Sequence, residues 1–194
     1  AGGPSEQGSM RAIEVRRGSR LVAELDLYDY LIRGDASSDI RLQQGDRIFV
    51  PIVGSQVSIE GLVRRPAIYE LKPGEQLRDL IVFAGGPRPE AYMRRIQIDR
   101  ILPPAQRTPG RERMLVDVDL ETMPADQDFE LLDGDRVTVF GIGDRRDNQV
   151  VVEGHVERPG LFELVPNMTL GDVITRAGGL LPDAFDVVAH LIRL

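Results

Sequence analysis

Apolar and polar residues alternate in several short stretches of the chain, and the clearest is VSIEGLV at residues 57–63. Its large apolar residues share one face of an extended backbone, and they are Val57, Ile59 and Val63. A period of two is typical of a strand with one face on a core and the other in solvent. Gly61, and Gly154 in a later copy of the stretch, fall on the apolar face, which predicts close packing of another backbone there.

A turn and a second strand follow. Residues 65–67 read RPA, and a proline in this place fixes φ as a tight turn requires. Residues 68–71, IYEL, have the length and composition of a short returning strand. The two strands are therefore predicted to form a hairpin.

An amphipathic helix is predicted near residues 76–85, because apolar residues recur there at intervals of three and four. The residues of this apolar stripe are Leu77, Leu80, Ile81 and Ala84. Gly85 and Gly86 suit a left-handed stop, where a β-carbon would be strained. Residues 170–179 repeat the pattern, with Thr169 as the expected N-cap.

Three more strands are predicted after the helix, at residues 96–101, 114–120 and 136–140, and the last follows a turn at Gly134-Asp135. The order is strand, strand, helix, then three strands. One helix crossing one mixed sheet is an α+β arrangement.

The chain repeats this unit. Residues 57–101, moved along by 93 positions, align with residues 150–194 without a gap, and 18 of 45 residues are identical. Residues 24–51 resemble residues 117–140 in the same way, because both contain an Asp-Leu pair and a Gly-Asp-Arg turn.

Three blocks follow from the repeats. Residues 1–53 are predicted to be the C-terminal half of a preceding unit, residues 54–142 a complete unit, and residues 150–194 the N-terminal half of a following unit. We expect the chain to belong to a longer array. We also expect the two half-units to complement each other, either between neighbouring copies or by docking on other parts of a longer chain.

Charge and composition exclude several classes of function. The net charge of −7 argues against nucleic-acid binding, which needs a basic surface. The sequence has no cysteine, which excludes disulfides and thiol catalysis. No apolar run approaches the roughly 20 residues of a membrane-spanning helix.

Patterns for catalysis and metal binding are weak. The two histidines, His155 and His190, align with Leu62 and Gln97, so neither belongs to a repeated site. The acidic residues between 117 and 135 lack the spacing of a calcium loop. A pair of carboxylates that cleaves a glycosidic bond is the remaining possibility for catalysis. The glutamates that recur at equivalent strand positions are Glu60, Glu153, Glu70 and Glu163. They are better explained as part of a solvated face of the sheet. We predict no enzymatic activity, no cofactor and no metal site.

Arginines are the candidate contact residues. Aromatic residues make up only 5% of the chain and none is tryptophan, which argues against a site that binds sugar tightly. The chain is acidic and would repel an acidic glycan, which favours weak contact with it. The predicted hairpin at residues 100–113 is about ten residues longer than its counterpart at residues 17–20. Its guanidinium groups could bind carboxylates of a partner or polymer, and a plain solvated loop is the alternative. The candidate ligand or partner contacts are Arg65, Arg107, Arg111, Arg113 and Arg158.

Three motifs carry a resemblance to a known family: VxxEGxVxRPGxxEL at residues 150–164, TLxDxIxxAGG at residues 169–179, and LxxGDxVxV at residues 131–139. Together they resemble the soluble-ligand-binding β-grasp (SLBB) domain, and their tandem use is similar to that in outer-membrane polysaccharide export proteins of Gram-negative bacteria. The resemblance implies tandem β-grasp domains, each a mixed sheet crossed by one helix.

The resemblance also implies a role. It suggests periplasmic, non-catalytic modules that form a homo-oligomeric ring, contact polysaccharide, and meet an inner-membrane polysaccharide copolymerase. Association with the outer membrane would be through parts of the protein that are not in this chain. Because SLBB domains also occur outside polysaccharide export, the alternative is a discrete module that holds a small ligand or a partner protein in a cleft beside the helix.

Overall fold

Strands dominate the structure, a computed structural model that describes residues 5, 7–143 and 146–184. The chain divides into two compact units, Ala1–Ile142 and Gly143–Leu194. The strands are β1 (Ile13–Arg17), β2 (Arg20–Leu25), β3 (Asp46–Phe49), β4 (Ser55–Gly61), β5 (Ala67–Leu71), β6 (Ala91–Ile101), β7 (Arg113–Val118), β8 (Arg136–Gly141), β9 (Gln149–Val152) and β10 (Gly160–Glu163). The helices are α1 (Leu77–Phe83) and α2 (Leu170–Arg176), with a π-helical turn at Asp29–Arg33 and a 3₁₀ turn at Pro104–Gln106.

A mixed five-stranded sheet forms the larger part of the first unit, with the strand order β5-β4-β8-β6-β7. β4 and β8 are parallel, with Ile59 opposite Val137, and the other neighbouring strands are antiparallel. The core lies between this sheet and α1, and the α1 side chains buried there are Leu77, Leu80, Ile81 and Phe83. The predicted α+β fold class and the predicted order of elements along the chain are confirmed, and all four residues of the predicted apolar stripe are buried, namely Leu77, Leu80, Ile81 and Ala84.

Both ends of α1 follow from local chemistry. The Gln76 N–H donates to the Asp79 carboxylate at 3.0 Å, which satisfies one of the free donors at the start of a helix. Gly85 and Gly86 have φ of 79° and 87°, and the Gly86 N–H donates to the Ile81 carbonyl at 2.9 Å. This is the left-handed stop that the glycine pair predicts.

Gly61 allows β4 to approach β8 closely. A β-carbon at Gly61 would collide with the Val139 carbonyl oxygen, and φ is 84°. The prediction of close backbone packing is therefore confirmed at Gly61. It is not confirmed at Gly154, where φ is 96° and no atom of the described residues lies within 4 Å of an added β-carbon.

A second sheet of the first unit has the strand order β2-β1-β3 and is antiparallel throughout. Tyr28, which follows β2, packs into the core of the five-stranded sheet, with its ring centroid 5.2 Å from that of Phe83 and 6.1 Å from that of Tyr69. The Tyr28 hydroxyl accepts a hydrogen bond from the Glu70 N–H at 3.0 Å. Residues before β4 thus contribute to the same core as residues after it.

The second unit has a smaller core. β9 and β10 form an antiparallel pair, and α2 begins at a capping box in which the Thr169 hydroxyl accepts from the Asp172 N–H. The buried residues are Val152, Val156, Val173 and Ala177. Leu170, although it belongs to the predicted apolar stripe of this helix, is exposed.

Neither helix of the described part of the chain has the length and apolar composition needed to span a membrane. The limits of the three predicted blocks, 1–53, 54–142 and 150–194, stay a prediction.

Candidate functional site

The long hairpin between β6 and β7 uses most of its arginines internally. The Arg107 guanidinium donates to the Leu102 carbonyl at 2.6 Å, and Arg113 donates to the Asp99 carboxylate at 3.0 Å. Thr108 and Arg111 form a backbone bridge at the tip. Among the described residues, the Arg111 guanidinium has no hydrogen-bond partner, so it is the hairpin arginine with a free side chain.

The two turn arginines lie at equivalent helix ends in the two units. The Arg65 N–H donates to the Ala84 carbonyl at 2.9 Å, and its guanidinium donates to the Phe83 carbonyl at 3.1 Å. The Arg158 N–H donates to the Ala177 carbonyl at 2.9 Å. Cations and donors at a helix C-terminus satisfy its free carbonyls, which gives these residues a structural task.

The five predicted contact arginines do not meet at one site. Arg107, Arg111 and Arg113 share the hairpin, Arg65 lies at the end of α1, and Arg158 belongs to the second unit. That any of them binds a ligand or partner stays a prediction.

A buried ion cluster lies around Arg11, before β1. Its guanidinium donates to the Asp26 carboxylate at 2.9 Å, to the Glu75 carboxylate at 2.7 Å, and to the Glu70 carbonyl at 2.8 Å. The guanidinium carbon also lies 4.2 Å from the centre of the Tyr28 ring, a cation–π distance. Arg11 therefore joins residues on both sides of β4.

Lysine enters the same cluster. Lys72, the only lysine of the chain, lies 2.8 Å from the second oxygen of Asp26. Burial alone would raise the pKa of Asp26, but hydrogen bonds from Arg11 and Lys72 lower the pKa below its ordinary value. Burial likewise opposes the charge of Arg11, and the hydrogen bonds to Glu75 and Asp26 outweigh burial and raise the pKa of Arg11. Arg11 and Asp26 therefore keep their charges, which is the condition for this ion pair to hold the two segments together.

Glu70 corrects the prediction of a solvated glutamate face. Its carboxylate is buried and accepts hydrogen bonds from the Ser9 hydroxyl at 2.8 Å, the Met10 N–H at 3.0 Å and the Gly54 N–H at 2.8 Å. The prediction is wrong for Glu70 because residues far along the chain cover β5. The other three glutamates of that set are exposed as predicted, namely Glu60, Glu153 and Glu163.

An open cleft of about 660 Å³ lies beside α1 in the first unit. Its apolar lining consists of Ile81, Ala91, Met93, Leu120 and Ile142, and its polar lining consists of Arg78, Tyr92, Arg94 and Glu121. A concave apolar surface with a few polar groups is the usual form of a ligand site. Two cations beside an apolar surface favour a ligand that combines apolar surface with negative charge.

Arg78 is fixed on one side of the cleft. Its guanidinium donates to the carbonyls of Met123 at 3.1 Å, Pro124 at 3.3 Å and Gln127 at 3.2 Å. These partners are neutral carbonyl groups, so the bonds orient the guanidinium without forming an ion pair, while the nearby Asp128 carboxylate accepts from the Arg78 backbone N–H at 3.0 Å.

Arg94 is held less firmly. Its guanidinium lies 3.7 Å from the Asp119 carboxylate, and both side chains are partly exposed. Hydrogen bonds from the Thr122 and Glu121 N–H groups, with the Arg94 charge, lower the pKa of Asp119. Because an exposed pair at this distance contributes little, Arg94 is available to a ligand.

The cleft and the ion cluster were both missed by the local sequence patterns, but the repeat contains a signal for them. The stretch AGGPSEQGSMR at the start of the chain aligns with AGGPRPEAYMR at residues 84–94, which places Arg11 opposite Arg94. Asp26 and Asp119 align through their shared Asp-Leu pair. The same pair of side chains is buried in the first copy and exposed at the cleft in the second.

Histidines and acidic residues form no metal site in the part of the chain that the structure describes, where no group of three or more His, Cys, Asp or Glu is placed to hold an ion. His155 is exposed, and His190 lies outside the described residues. Asp133-Gly134-Asp135 forms the predicted turn, and Gly134 has φ of 80°.

The family model of the SLBB domain matches two segments of the chain, residues 56–117 and residues 149–194. The two matched segments together cover more than half of the chain and include the β4–β5 hairpin with α1 and the β9–β10 hairpin with α2. No curated protein matches the chain.

Proposed function

Because the chain belongs to the SLBB domain family, we propose that it supplies non-catalytic modules of a periplasmic polysaccharide export protein. In this role the modules pack against one another in a homo-oligomer. They make weak contact with the polysaccharide and dock on an inner-membrane copolymerase.

The observation that carries this proposal is the tandem arrangement: the same domain matches twice within 194 residues. Repeated modules that contact their neighbours are suited to building an extended assembly. A catalytic domain has no comparable need to be repeated in one chain.

The use of charge within the first unit supports a packing role. Its most buried cation, Arg11, has carboxylate partners and joins the segment before β4 to the segment after it. The acidic chain also repels an acidic polysaccharide over a Debye length of about 8 Å at physiological salt. This repulsion favours passage of the polysaccharide over its retention by the protein.

The hairpin arginines provide a test of glycan or partner contact. In the full-length protein, Arg107, Arg111 and Arg113 are replaced together by glutamine, and a matched variant replaces the exposed Arg20, Arg41 and Arg64. We expect the hairpin variant to lower surface polysaccharide and the matched variant to leave it unchanged. Equal amounts in both strains would identify the hairpin as a solvated loop. The export role itself is tested by removing residues 54–142 and measuring surface polysaccharide.

The cleft beside α1 favours a second candidate function, a discrete module for a small ligand or partner protein. The supporting observation is the pair of guanidinium groups, Arg78 and Arg94, beside about 660 Å³ of largely apolar space. Titration of the isotope-labelled chain with a glucuronate-containing oligosaccharide and with its neutral counterpart tests this. Amide shifts at the cleft with the acidic oligosaccharide, lost in Arg94→Glu, would support ligand binding. If the amide signals of the cleft shift with neither oligosaccharide, ligand binding at the cleft is contradicted and only the packing role is supported.

A further inference from the structure

β7 is an edge strand of the five-stranded sheet in the middle of the chain. In the order β5-β4-β8-β6-β7, it pairs with β6 on one side, and no strand of the described residues lies on its other side. An edge strand presents a row of N–H and C=O groups that a further strand can bind. The outer side of β7 is therefore a candidate interaction surface.

The pairing with β6 determines which backbone groups of β7 face outward. The Leu102 N–H donates to the Glu112 carbonyl at 2.9 Å, so these two residues form a hydrogen-bonded pair just before β7. Hydrogen-bonded pairs alternate with non-bonded pairs along an antiparallel ladder. The N–H and C=O groups of Arg113, Leu115 and Asp117 therefore point away from β6.

This edge lacks the features that usually protect an edge strand, such as a bulge or a proline. β7 pairs with β6 from Arg113 to Val118 without a shift in register, and its sequence RMLVDV has no proline or glycine. Leu115 is 64% exposed and Met114 is 36% exposed. β7 is thus a regular edge with exposed apolar side chains.

The residues along β7 are complementary to themselves. Leu115 lies between Arg113, two positions before it, and Asp117, two positions after it. These three side chains share one face of the sheet, because alternate residues of a strand do. An antiparallel second copy centred on Leu115 places each arginine opposite the aspartate of the other copy. Opposite charges in directly facing positions stabilise a pair of strands, whereas a parallel copy in the same register would bring like charges together.

We propose that two copies of the chain associate through β7, antiparallel and about a two-fold axis at Leu115. In this register the N–H of each Leu115 donates to the carbonyl of the other. The backbone groups of Arg113 bond to those of Asp117 in the second copy, and the reverse bonds form on the other side of the axis. All the outward groups of these three residues are then satisfied, and the two five-stranded sheets become continuous.

The same register brings apolar side chains together on both faces of the joined sheet. Leu115 meets Leu115 of the second copy on the face away from α1. Met114 meets Val116 of the second copy on the opposite face, where Val116 packs against the core. Removal of these apolar side chains from water favours the association.

The two charged side chains are available for the contact. Arg113 donates to Asp99 at 3.0 Å, and Asp117 lies 3.4 Å from Arg95 and accepts from Gln97 at 3.2 Å. Because the Arg113 side chain is 59% exposed and that of Asp117 is 53% exposed, these contacts contribute little. A guanidinium has five N–H donors and a carboxylate about four acceptor sites, so both groups can add a partner without losing the present one.

The contact is isologous, because both copies use the same surface, and it closes at a dimer. It goes beyond the proposed function and does not rest on a role in polysaccharide export. Self-association is measured on the purified chain and export is measured on cells. A failure of one is therefore distinguishable from a failure of the other.

Charge reversal on the purified 194-residue chain tests the proposal, with light scattering and sedimentation over a wide concentration range as the measurement. We expect an equilibrium between monomers and dimers. Arg113→Asp and Asp117→Arg, each alone, place like charges opposite each other at both symmetry-related positions, so each should weaken the dimer by about tenfold. The double variant Arg113→Asp/Asp117→Arg restores opposite charges and should restore the dissociation constant.

Two results of this experiment would overturn the proposal. One is that the unchanged chain is a monomer at every concentration. The other is that the double variant dissociates as readily as the single variants, since a loss of structure at β7 would add up whereas the proposed pairing predicts rescue. Circular dichroism of each variant measures whether the fold is retained.

Disulfide formation gives a second readout, of the register. The chain has no cysteine, so Leu115→Cys introduces a single thiol at the proposed two-fold axis. Facing residues of a hydrogen-bonded antiparallel pair have Cα atoms about 5.5 Å apart, which a disulfide can span. Mild oxidation is expected to link Leu115→Cys into dimers and to leave Ile68→Cys largely monomeric, because Ile68 is 65% exposed but lies on the opposite edge strand, β5. Equal yields of linked dimer from the two variants would overturn the proposed contact.

Discussion

Arg100 on β6 donates to the buried carboxylate of Asp135 at 2.7 Å, and the same bond occurs a second time in the chain. Arg17 on β1 donates to Asp46 at 2.8 Å. In both copies the carboxylate also accepts from the backbone N–H three residues earlier, that of Leu132 or Gln43. Each pair joins one strand to the start of the strand beside it in the sheet, β1 to β3 and β6 to β8, so it helps to fix the register of the two neighbouring strands.

Arg100→Gln is expected to destabilise the first unit by about 3–5 kcal/mol, because it leaves the buried Asp135 without its cation. Arg113→Gln is the matched control on the neighbouring strand, since its pair with Asp99 is exposed. That substitution should cost about 0–1 kcal/mol. Urea unfolding followed by circular dichroism gives both values, and similar losses in the two variants would contradict the structural role of Asp135.

Arg11→Met should reduce the free energy of unfolding by about 3–5 kcal/mol, because Asp26 and Glu75 would both lose the guanidinium that they bind. Arg20→Met, at an exposed arginine, should change it by less than about 0.5 kcal/mol. Hydrogen exchange should locate the loss at the contact between residues 9–28 and β5. Unchanged protection there in Arg11→Met would show that the cluster does not hold the two segments together.

Acid should destabilise the first unit as its ion-paired carboxylates gain protons. The pKa of Asp26 is lowered in the folded chain, and Arg17 holds the pKa of Asp46 at about 2. An unfolded aspartate has a pKa of about 3.9, so the unfolded chain binds protons first and stability falls with pH. The stabilisation is therefore complete above about pH 4 and is lost towards pH 2.

Urea unfolding at a series of pH values measures this loss. Asp26→Asn should flatten the decline between about pH 4 and pH 2, because it removes one of the groups responsible. Asp39→Asn, at an exposed carboxylate, should leave the decline unchanged. Equal slopes for the unchanged chain and Asp26→Asn would exclude Asp26 as a source of acid sensitivity.

Gly61→Ala should be among the most damaging single substitutions, for two reasons. The added β-carbon would collide with the Val139 carbonyl oxygen, and the residue has a positive φ that alanine rarely adopts. The expected loss exceeds the roughly 0.5–3 kcal/mol of ordinary substitutions. Gly74→Ala, with φ of 90° and open space, separates the two effects and should cost about 1–2 kcal/mol. Thermal unfolding compares them, and equal losses would mean that the close approach of β4 and β8 tolerates a side chain.

Local patterns predict the elements of this fold well because each element is determined by its own residues. The alternation in residues 57–63 and the stripe from Leu77 to Ala84 identify which side chains are buried. Gly85 and Gly86 identify where α1 ends, because few other residues adopt a positive φ.

Local patterns do not predict which side chains are buried by residues far away in the sequence. Glu70 lies in a strand whose sequence is compatible with a solvated face, and only the contact with Ser9 and Met10 makes it a buried acceptor. Arg11 is polar by composition and buried because Asp26, Glu75 and Tyr28 surround it. The cleft likewise is lined by residues of α1, of β6 and of the segments after β7 and β8, and the repeat indicates it only through the aligned Arg94 and Asp119.

The export role is tested most directly by measuring surface polysaccharide beside its intracellular pool in a strain whose full-length protein lacks residues 54–142. The matched strain carries Ile68→Asp, an exposed substitution in the same domain. We predict that the deletion abolishes surface polysaccharide while intracellular synthesis continues, and that the point variant behaves like the unchanged strain. Normal surface polysaccharide in the deletion strain, with the shortened protein present, would contradict the export role.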